Sequence, residues 1–189
     1  MTLPRLKVCG INDAAFAVAA EERGADYLGF IFAEGSPRRV TPAQAEAIAA
    51  CLKGTSRRVG VFVRETPDEI AGIMRQARLD VVQLHRRASA DDVYALRAAG
   101  YEVWTLAGGA PGDAVLFDSS HGDGETAFRR GVWRTILAGG ISAENVAGAV
   151  ALGPDVIDVS GSLETAPGRK DVALLDRFLL AFRRAAGVV

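Results

Sequence analysis

The feature that most limits what this chain can fold into is a rhythm. Eight short apolar runs, each the length of a buried strand, alternate with stretches patterned for helices or tight loops. The runs are Leu6–Ile11, Tyr27–Phe32, Val59–Val63, Val81–His85, Glu102–Leu106, Ala114–Asp118, Thr135–Gly140 and Val156–Gly161. Tyr27–Phe32 is apolar at consecutive positions, the mark of a strand covered on both faces. Between the runs stand helix signals. Asn12 and Asp13 offer caps to a helix over residues 13–23 that Gly24 ends. Thr41-Pro42 and Thr66-Pro67 place a cap before an N1 proline. Ser89 caps a fourth helix closed by Gly100, Ser142–Asn145 cap another, and an amphipathic helix over Val172–Ala185 ends the pattern. Two units are weaker. Gly108–Gly112 is too broken for a helix, and the loop Ser119–Gly124 leads only to a weak helical segment near Phe128.

Alternation of this kind predicts parallel strands, and a count of eight favours closure over an open doubly wound sheet. The expected fold is α/β, a single-domain (β/α)8 TIM barrel over residues 1–189 with shortened helices 5 and 6. Such barrels usually exceed about 200 residues. The two broken helices account for the shorter chain of 189 residues.

Composition narrows the function classes. Hydrophobic residues are 49% of the chain, enough to fill a core, and the formal net charge is −1. That balance argues against nucleic acid or an anionic membrane surface as partner. Lysine occurs only at Lys7, Lys53 and Lys170, which reads as a bias toward arginine. No apolar run reaches the roughly 18 residues of a membrane span, and the first residues lack a signal-peptide apolar region. Cys9 and Cys51 make neither a disulfide framework nor a metal-ligand pair, so a reducing cytoplasm is the expected setting.

Active sites of such barrels sit at the carboxyl ends of the strands. That rule gathers Cys9, the Arg38 loop, His85, Asp118, Gly139-Gly140 and Ser160-Gly161 onto one rim. The loops after strands seven and eight commonly bind phosphate through backbone N–H groups and a short helix N-terminus. Here they are Gly139-Gly140, and Ser160-Gly161-Ser162 followed by a short turn over Glu164–Gly168. Other readings stay open for each residue. A free cysteine is often a packing residue, which suits Cys51 in the Ala-rich second helix and, by residue type, Cys9 as well. Asp118 ends an apolar run and is costly there if unpaired; it reads equally as a cap and as an acid. Arg38 and Arg39 could be solvated, and His85 a satisfied strand-end histidine.

Along nearly the whole chain these segments resemble the phosphoribosylanthranilate isomerase family of tryptophan synthesis. The resemblance runs through Lys7-Val8-Cys9-Gly10-Ile11, Gly24–Phe32 with Ser36-Pro37-Arg38, Val59–Val63, and Val82-Gln83-Leu84-His85. It continues in Leu116–Ser119, Leu137–Ile141 with Glu144-Asn145-Val146, Asp158-Val159-Ser160, and Pro167–Asp171. The resemblance implies an Amadori rearrangement of N-(5-phosphoribosyl)anthranilate to 1-(2-carboxyphenylamino)-1-deoxyribulose 5-phosphate. It implies no cofactor and no metal. The only partner it implies is a phosphorylated aminosugar substrate, handled by a monomer or homodimer. The family's general base falls on Cys9 and its acid on Asp118. Arg38 falls where the anthranilate carboxylate is contacted, and Gly139, Gly140, Asp158 and Ser160 in the phosphate region. His85 and Gly161 join the substrate-binding set from the same rim.

The implied chemistry needs these residue types. An acid protonates the ring oxygen, and a base then removes the proton from C2 of the sugar. The carboxyl must be protonated while the thiol is ionised, yet reference values are about 3.9 for Asp and about 8.5 for Cys. An apolar rim would raise Asp118, and nearby positive charge would lower Cys9. The chain departs from the family pattern at Arg86-Arg87, His121–Gly124, Phe128-Arg129-Arg130 and Ser160-Gly161-Ser162. Two other readings are a histidine-pathway aminoaldose isomerase, which usually employs two carboxylates, and a phosphate-ligand module without turnover.

Overall fold

Local signals start the helices. The computed structural model describes residues 4–119 and 133–188. Helix α1 (Ala14–Glu22) begins where Asp13 accepts the N–H of Phe16 at 2.7 Å. It stops at Arg23, and Gly24 follows at φ +90°, a turn a side chain would strain. Helices α2 (Pro42–Ala49), α3 (Pro67–Gln76) and α4 (Ala90–Ala98) each open on a reciprocal capping box: Thr41 with Gln44, Thr66 with Glu69, Ser89 with Asp92. Helix α6 (Val172–Ala185) buries Leu175, Phe178, Leu179 and Phe182 on one face, as its spacing predicts.

The strands are β1 (Arg5–Cys9), β2 (Tyr27–Ile31), β3 (Arg57–Phe62) and β4 (Val81–Leu84). They continue as β5 (Glu102–Leu106), β6 (Ala114–Asp118), β7 (Arg134–Ala138) and β8 (Val156–Val159). They pair in chain order as a closed parallel barrel, with β8 returning to β1. Because side chains alternate, each strand feeds two cores. Inside the barrel lie Tyr27, Val59, Val81, Trp104, Leu116, Ile136 and Val156, among others. Tyr27 and Trp104 meet edge to face, ring centres 4.8 Å apart. Leu6, Val8, Leu28, Phe30, Val82 and Leu84 face outward, against the helices.

The amino ends of the strands carry a repeated clamp. Asp26, Asp80, Asp113 and Asp155 each precede an even-numbered strand. Each carboxylate accepts the backbone N–H of a residue on the preceding strand: Leu6 at 2.8 Å, Arg58 at 2.8 Å, Val103 at 2.8 Å and Thr135 at 2.7 Å. Each aspartate's own N–H donates back to the carbonyl of that same residue. Four two-point clamps thus tie the odd strands to the even ones. At the same end Glu102 takes both Arg57 and Arg134 and the Trp104 Nε1–H. Glu21 accepts four backbone N–H groups, from Lys53, Gly54, Thr55 and Ser56.

Five expectations are corrected or left aside. No helix joins β5 to β6; Gly109 lies so close to Ala88 that a Cβ would sit 2.6 Å from its backbone nitrogen. The loop His121–Gly124 and the segment near Phe128 lie outside the described residues. The helix after β7, α5 (Val146–Ala151), starts later than Ser142. Ser142 instead closes a turn with Asn145, whose Oδ1 accepts the Ser142 N–H at 2.8 Å. After β8 comes a three-residue 3₁₀ turn, Gly161–Leu163, and then an antiparallel hairpin, β9 (Glu164–Ala166) and β10 (Arg169–Lys170), where only a turn was expected. Cys51 is exposed beyond the end of α2 and does not pack. Among the described residues no helix is long and apolar enough to cross a membrane.

Candidate active site

Strand alternation places every second residue of a barrel strand inward, and the last inward positions form the upper mouth. Cys9, Arg38, His85, Asp118, Gly139, Gly140, Asp158, Ser160 and Gly161, drawn from six βα units, all line one cavity of about 530 Å³ there.

Cys9 ends β1 with its thiol turned inward, 7% exposed. Gly29 on β2 makes room for it: a Cβ there would lie 2.8 Å from Sγ and 3.2 Å from Lys7 Cε. Lys7, two residues earlier on the same inward face, is fully buried and bonds Asp158 Oδ2 at 2.6 Å. Burial alone would lower Lys7, but the Asp158 carboxylate and the Cys9 sulfur hold its ammonium above the ordinary value. Burial pushes the Cys9 thiol up, and the attraction of Lys7 offsets only part of it. Positive charge does stand beside the thiol, as expected from the sequence, yet the net shift is upward because desolvation outweighs it. Burial likewise pushes Asp158 up against the pull of Lys7.

A second charged group closes the mouth beside Ser160. Glu164, on the hairpin after β8, receives Arg38 through two parallel bonds of 2.7 Å from Nε and NH2. It also receives Lys170 at 2.9 Å. Lys170 is almost wholly buried and donates to the Ser160 carbonyl at 3.0 Å; burial draws it below the ordinary lysine value. Ser160 Oγ donates to the Cys9 carbonyl at 3.1 Å, which ties this group to the end of β1. The Arg38 stem crosses over Gly10, where a Cβ would come within 2.5 Å of its Cδ.

Asp118 ends β6 on the far side of the cavity, with β7 and β8 between it and Cys9. Gly139, at φ +92°, permits this: a Cβ there would lie 2.6 Å from Asp118 Oδ1. His85 Nε2 faces Asp118 Oδ2 at 3.6 Å, and Gln83 Nε2 lies 3.5 Å from His85 Nδ1. The two glycine loops are stitched together by Ser162 Oγ, which donates to the Ile141 carbonyl at 2.7 Å. Asp158 is not in those loops. It lies on the cavity floor in its pair with Lys7, where a carboxylate is poorly suited to a phosphate.

Sequence reasoning passed over Lys7, Gln83, Glu164 and Lys170. Lys7 had a signal: a lysine between Leu6 and Val8, in register with Cys9, needs a buried partner. Two of the three lysines are the buried pair of this site, so their scarcity was more than a bias. Asp158 stands 151 residues from Lys7, and Glu164 stands 126 residues from Arg38, so neither pairing left a local trace.

Residues 6–181 match the family model described as N-(5'phosphoribosyl)anthranilate (PRA) isomerase. A relative from Granulibacter bethesdensis named N-(5'-phosphoribosyl)anthranilate isomerase is 36% identical, covering 96% of this chain and 99% of its own. One of the same name from Geobacter sulfurreducens is 37% identical over 97% and 98%. The crystal structure of the Thermus thermophilus phosphoribosyl anthranilate isomerase superposes with a TM-score of 0.85 at 35% identity, covering 95% of this chain and 98% of that one. A phosphoribosyl anthranilate isomerase in complex with reduced 1-(o-carboxyphenylamino)-1-deoxyribulose 5-phosphate gives 0.80 at 30% identity, over 97% and 99%.

Proposed function

The chain belongs to the N-(5'-phosphoribosyl)anthranilate isomerase family, and we propose that Cys9 and Asp118 are the base and acid of its Amadori rearrangement. It is an isomerase of tryptophan biosynthesis acting on a phosphorylated small molecule. The observation that carries the residue assignment is the placing of a thiol and a carboxyl on separated strands around one cavity, with glycine loops at the same mouth.

In the first step the Asp118 carboxyl gives its proton to the ring oxygen of the ribose. The C1–O bond breaks, and the anthranilate nitrogen lone pair forms a C1=N iminium. In the second step the Cys9 thiolate takes the proton from C2. The C–H electrons become the C1=C2 bond, the C=N electrons return to nitrogen, and the resulting enolamine tautomerises to the ketone. Cationic charge on the iminium favours a thiolate beside it, in a place where burial otherwise disfavours one. Each proton transfer contributes on the order of 100- to 10,000-fold. Only protons and electron pairs move, so the reaction calls for no cofactor or metal.

Gly139, Gly140, Ser160 and Gly161 hold the phosphate through backbone N–H groups, which glycine lets approach an anion closely. Arg38, held by Glu164, meets the anthranilate carboxylate with its remaining donors. His85 steadies Asp118. The protein works as a monomer or a homodimer. The unpaired Cys9 and Cys51 support a reducing cytoplasm. Complementation of a tryptophan auxotroph lacking this step tests the reading. The wild-type chain restores growth, and Cys9→Ala and Asp118→Asn do not. Growth of both variants at the wild-type rate would remove the two assigned roles.

A further inference from the structure

Among the described residues, two buried side-chain atoms have no hydrogen-bond partner: Oε1 of Gln83 and Oδ1 of Asp158. Such atoms are few in native proteins, and each calls for an explanation. These two share one cavity. Gln83 is 2% exposed and Asp158 7%. They belong to β4 and β8, which the strand order sets on opposite sides of the barrel, and each lies one inward position below the rim.

The rest of each side chain is committed. The Gln83 amide nitrogen faces His85 Nδ1, and the imidazole's other nitrogen faces the Asp118 carboxylate. An imidazole protonated toward that carboxylate leaves Nδ1 as an acceptor, so the amide NH₂ belongs where it stands and the carbonyl oxygen is turned to the cavity. Asp158 gives Oδ2 to Lys7 and keeps Oδ1. Two oxygen acceptors therefore wait on the floor, and whatever fills them must bring donors. A phosphate dianion or an ionised carboxylate brings none; a hydroxyl brings one.

We propose that Gln83 and Asp158 receive the sugar hydroxyls of the substrate, with Gln83 reading the hydroxyl at C3. This rests on the isomerase reading above. Asp158 adjoins β1 and so meets the hydroxyl on C2, the carbon that Cys9 deprotonates. Gln83, across the floor, meets the next hydroxyl along the opened chain. The two acceptors lay the ribose on the floor while the phosphate and the anthranilate ring stay at the rim. Gln83 thereby becomes a specificity-determining residue.

The test measures binding of reduced 1-(o-carboxyphenylamino)-1-deoxyribulose 5-phosphate, and of its 3-deoxy counterpart, by calorimetry. The wild-type protein prefers the hydroxylated ligand by on the order of 10- to 100-fold. Gln83→Met loses most of that preference by weakening on the hydroxylated ligand alone, and Gln83→Glu, which keeps an acceptor, regains it. Equal affinity of the wild-type protein for the two ligands overturns the proposal without any variant. An undiminished preference in Gln83→Met overturns it as well. A wild-type protein that binds neither ligand overturns the isomerase reading together with this one.

Discussion

The two mouths of the barrel are both dense in charge, but they are wired differently. At the amino ends of the strands, four aspartates each make a closed two-point clamp, Glu102 gathers two arginines and an indole, and Glu21 fills itself with four backbone N–H groups. At the carboxyl ends, Lys7, Asp158, Lys170 and Glu164 are buried more deeply than those aspartates, yet Asp158 and Gln83 each keep one acceptor without a partner. Completed bonds at one end hold the strands in register. Incomplete ones at the other mark where a ligand supplies the missing donors. Charge density alone therefore says little about where chemistry happens; the completeness of its hydrogen bonding says more.

Substitutions should separate the two ends, and Lys7→Met should have the largest consequence. It strands the Asp158 carboxylate in the floor, where breaking a buried pair costs about 3–5 kcal/mol. It also removes the positive charge that favours the Cys9 thiolate. Since burial already raises Cys9, the kcat/KM of the wild-type enzyme climbs with pH into the range above an ordinary thiol. Losing Lys7 makes the thiolate still less favourable and moves that limb to higher pH. A limb that stays in place would detach Lys7 from the thiol.

Asp155→Ala comes next. It opens one clamp and leaves the buried Thr135 N–H without its carboxylate, for a loss of about 1–3 kcal/mol in urea unfolding at unchanged kcat. A fall in kcat without loss of stability would erase the distinction between the mouths. The smallest effect belongs to acid. Arg58 and the backbone N–H overcome the burial of Asp80 and hold it below the usual carboxylate range, and Arg97 does the same for Asp113. A lowered folded value gives stability that is complete above the unfolded value of about 3.9 and is lost as pH falls through the folded one. Asp80→Asn should therefore lose stability at pH 7, where the carboxylate's contribution is complete, and flatten the acid limb of the stability curve below about pH 4, where the wild type loses that contribution anyway.

Much of this architecture was legible because buried parallel strands announce themselves. Glu102–Leu106, Ala114–Asp118 and the helix Val172–Ala185 stand where their patterns put them. The rim positions of Cys9 and Asp118 followed from strand ends alone. What stayed hidden depends on contacts between distant residues. Lys7 pairs with Asp158 at a separation of 151 residues, and Arg38 with Glu164 at 126. The upward shift of Cys9 reflects burial, which residue type does not reveal. The aspartate before each even strand was in plain view, but it acquires meaning only when parallel register sets it beside the preceding strand's backbone. At the late start of α5, the Asn145 side chain bonds back to the Ser142 N–H and the Gly140 carbonyl, so it does not cap the helix.

The measurement that bears most directly on the division between the mouths is turnover of N-(5-phosphoribosyl)anthranilate by folded Cys9→Ala, Asp118→Asn and Asp155→Ala, side by side below their melting temperatures. The two upper-mouth variants should each lose on the order of 100- to 10,000-fold in kcat, with Asp155→Ala within about twofold of wild type. Wild-type turnover in either Cys9→Ala or Asp118→Asn, or a comparable collapse in Asp155→Ala, would contradict it.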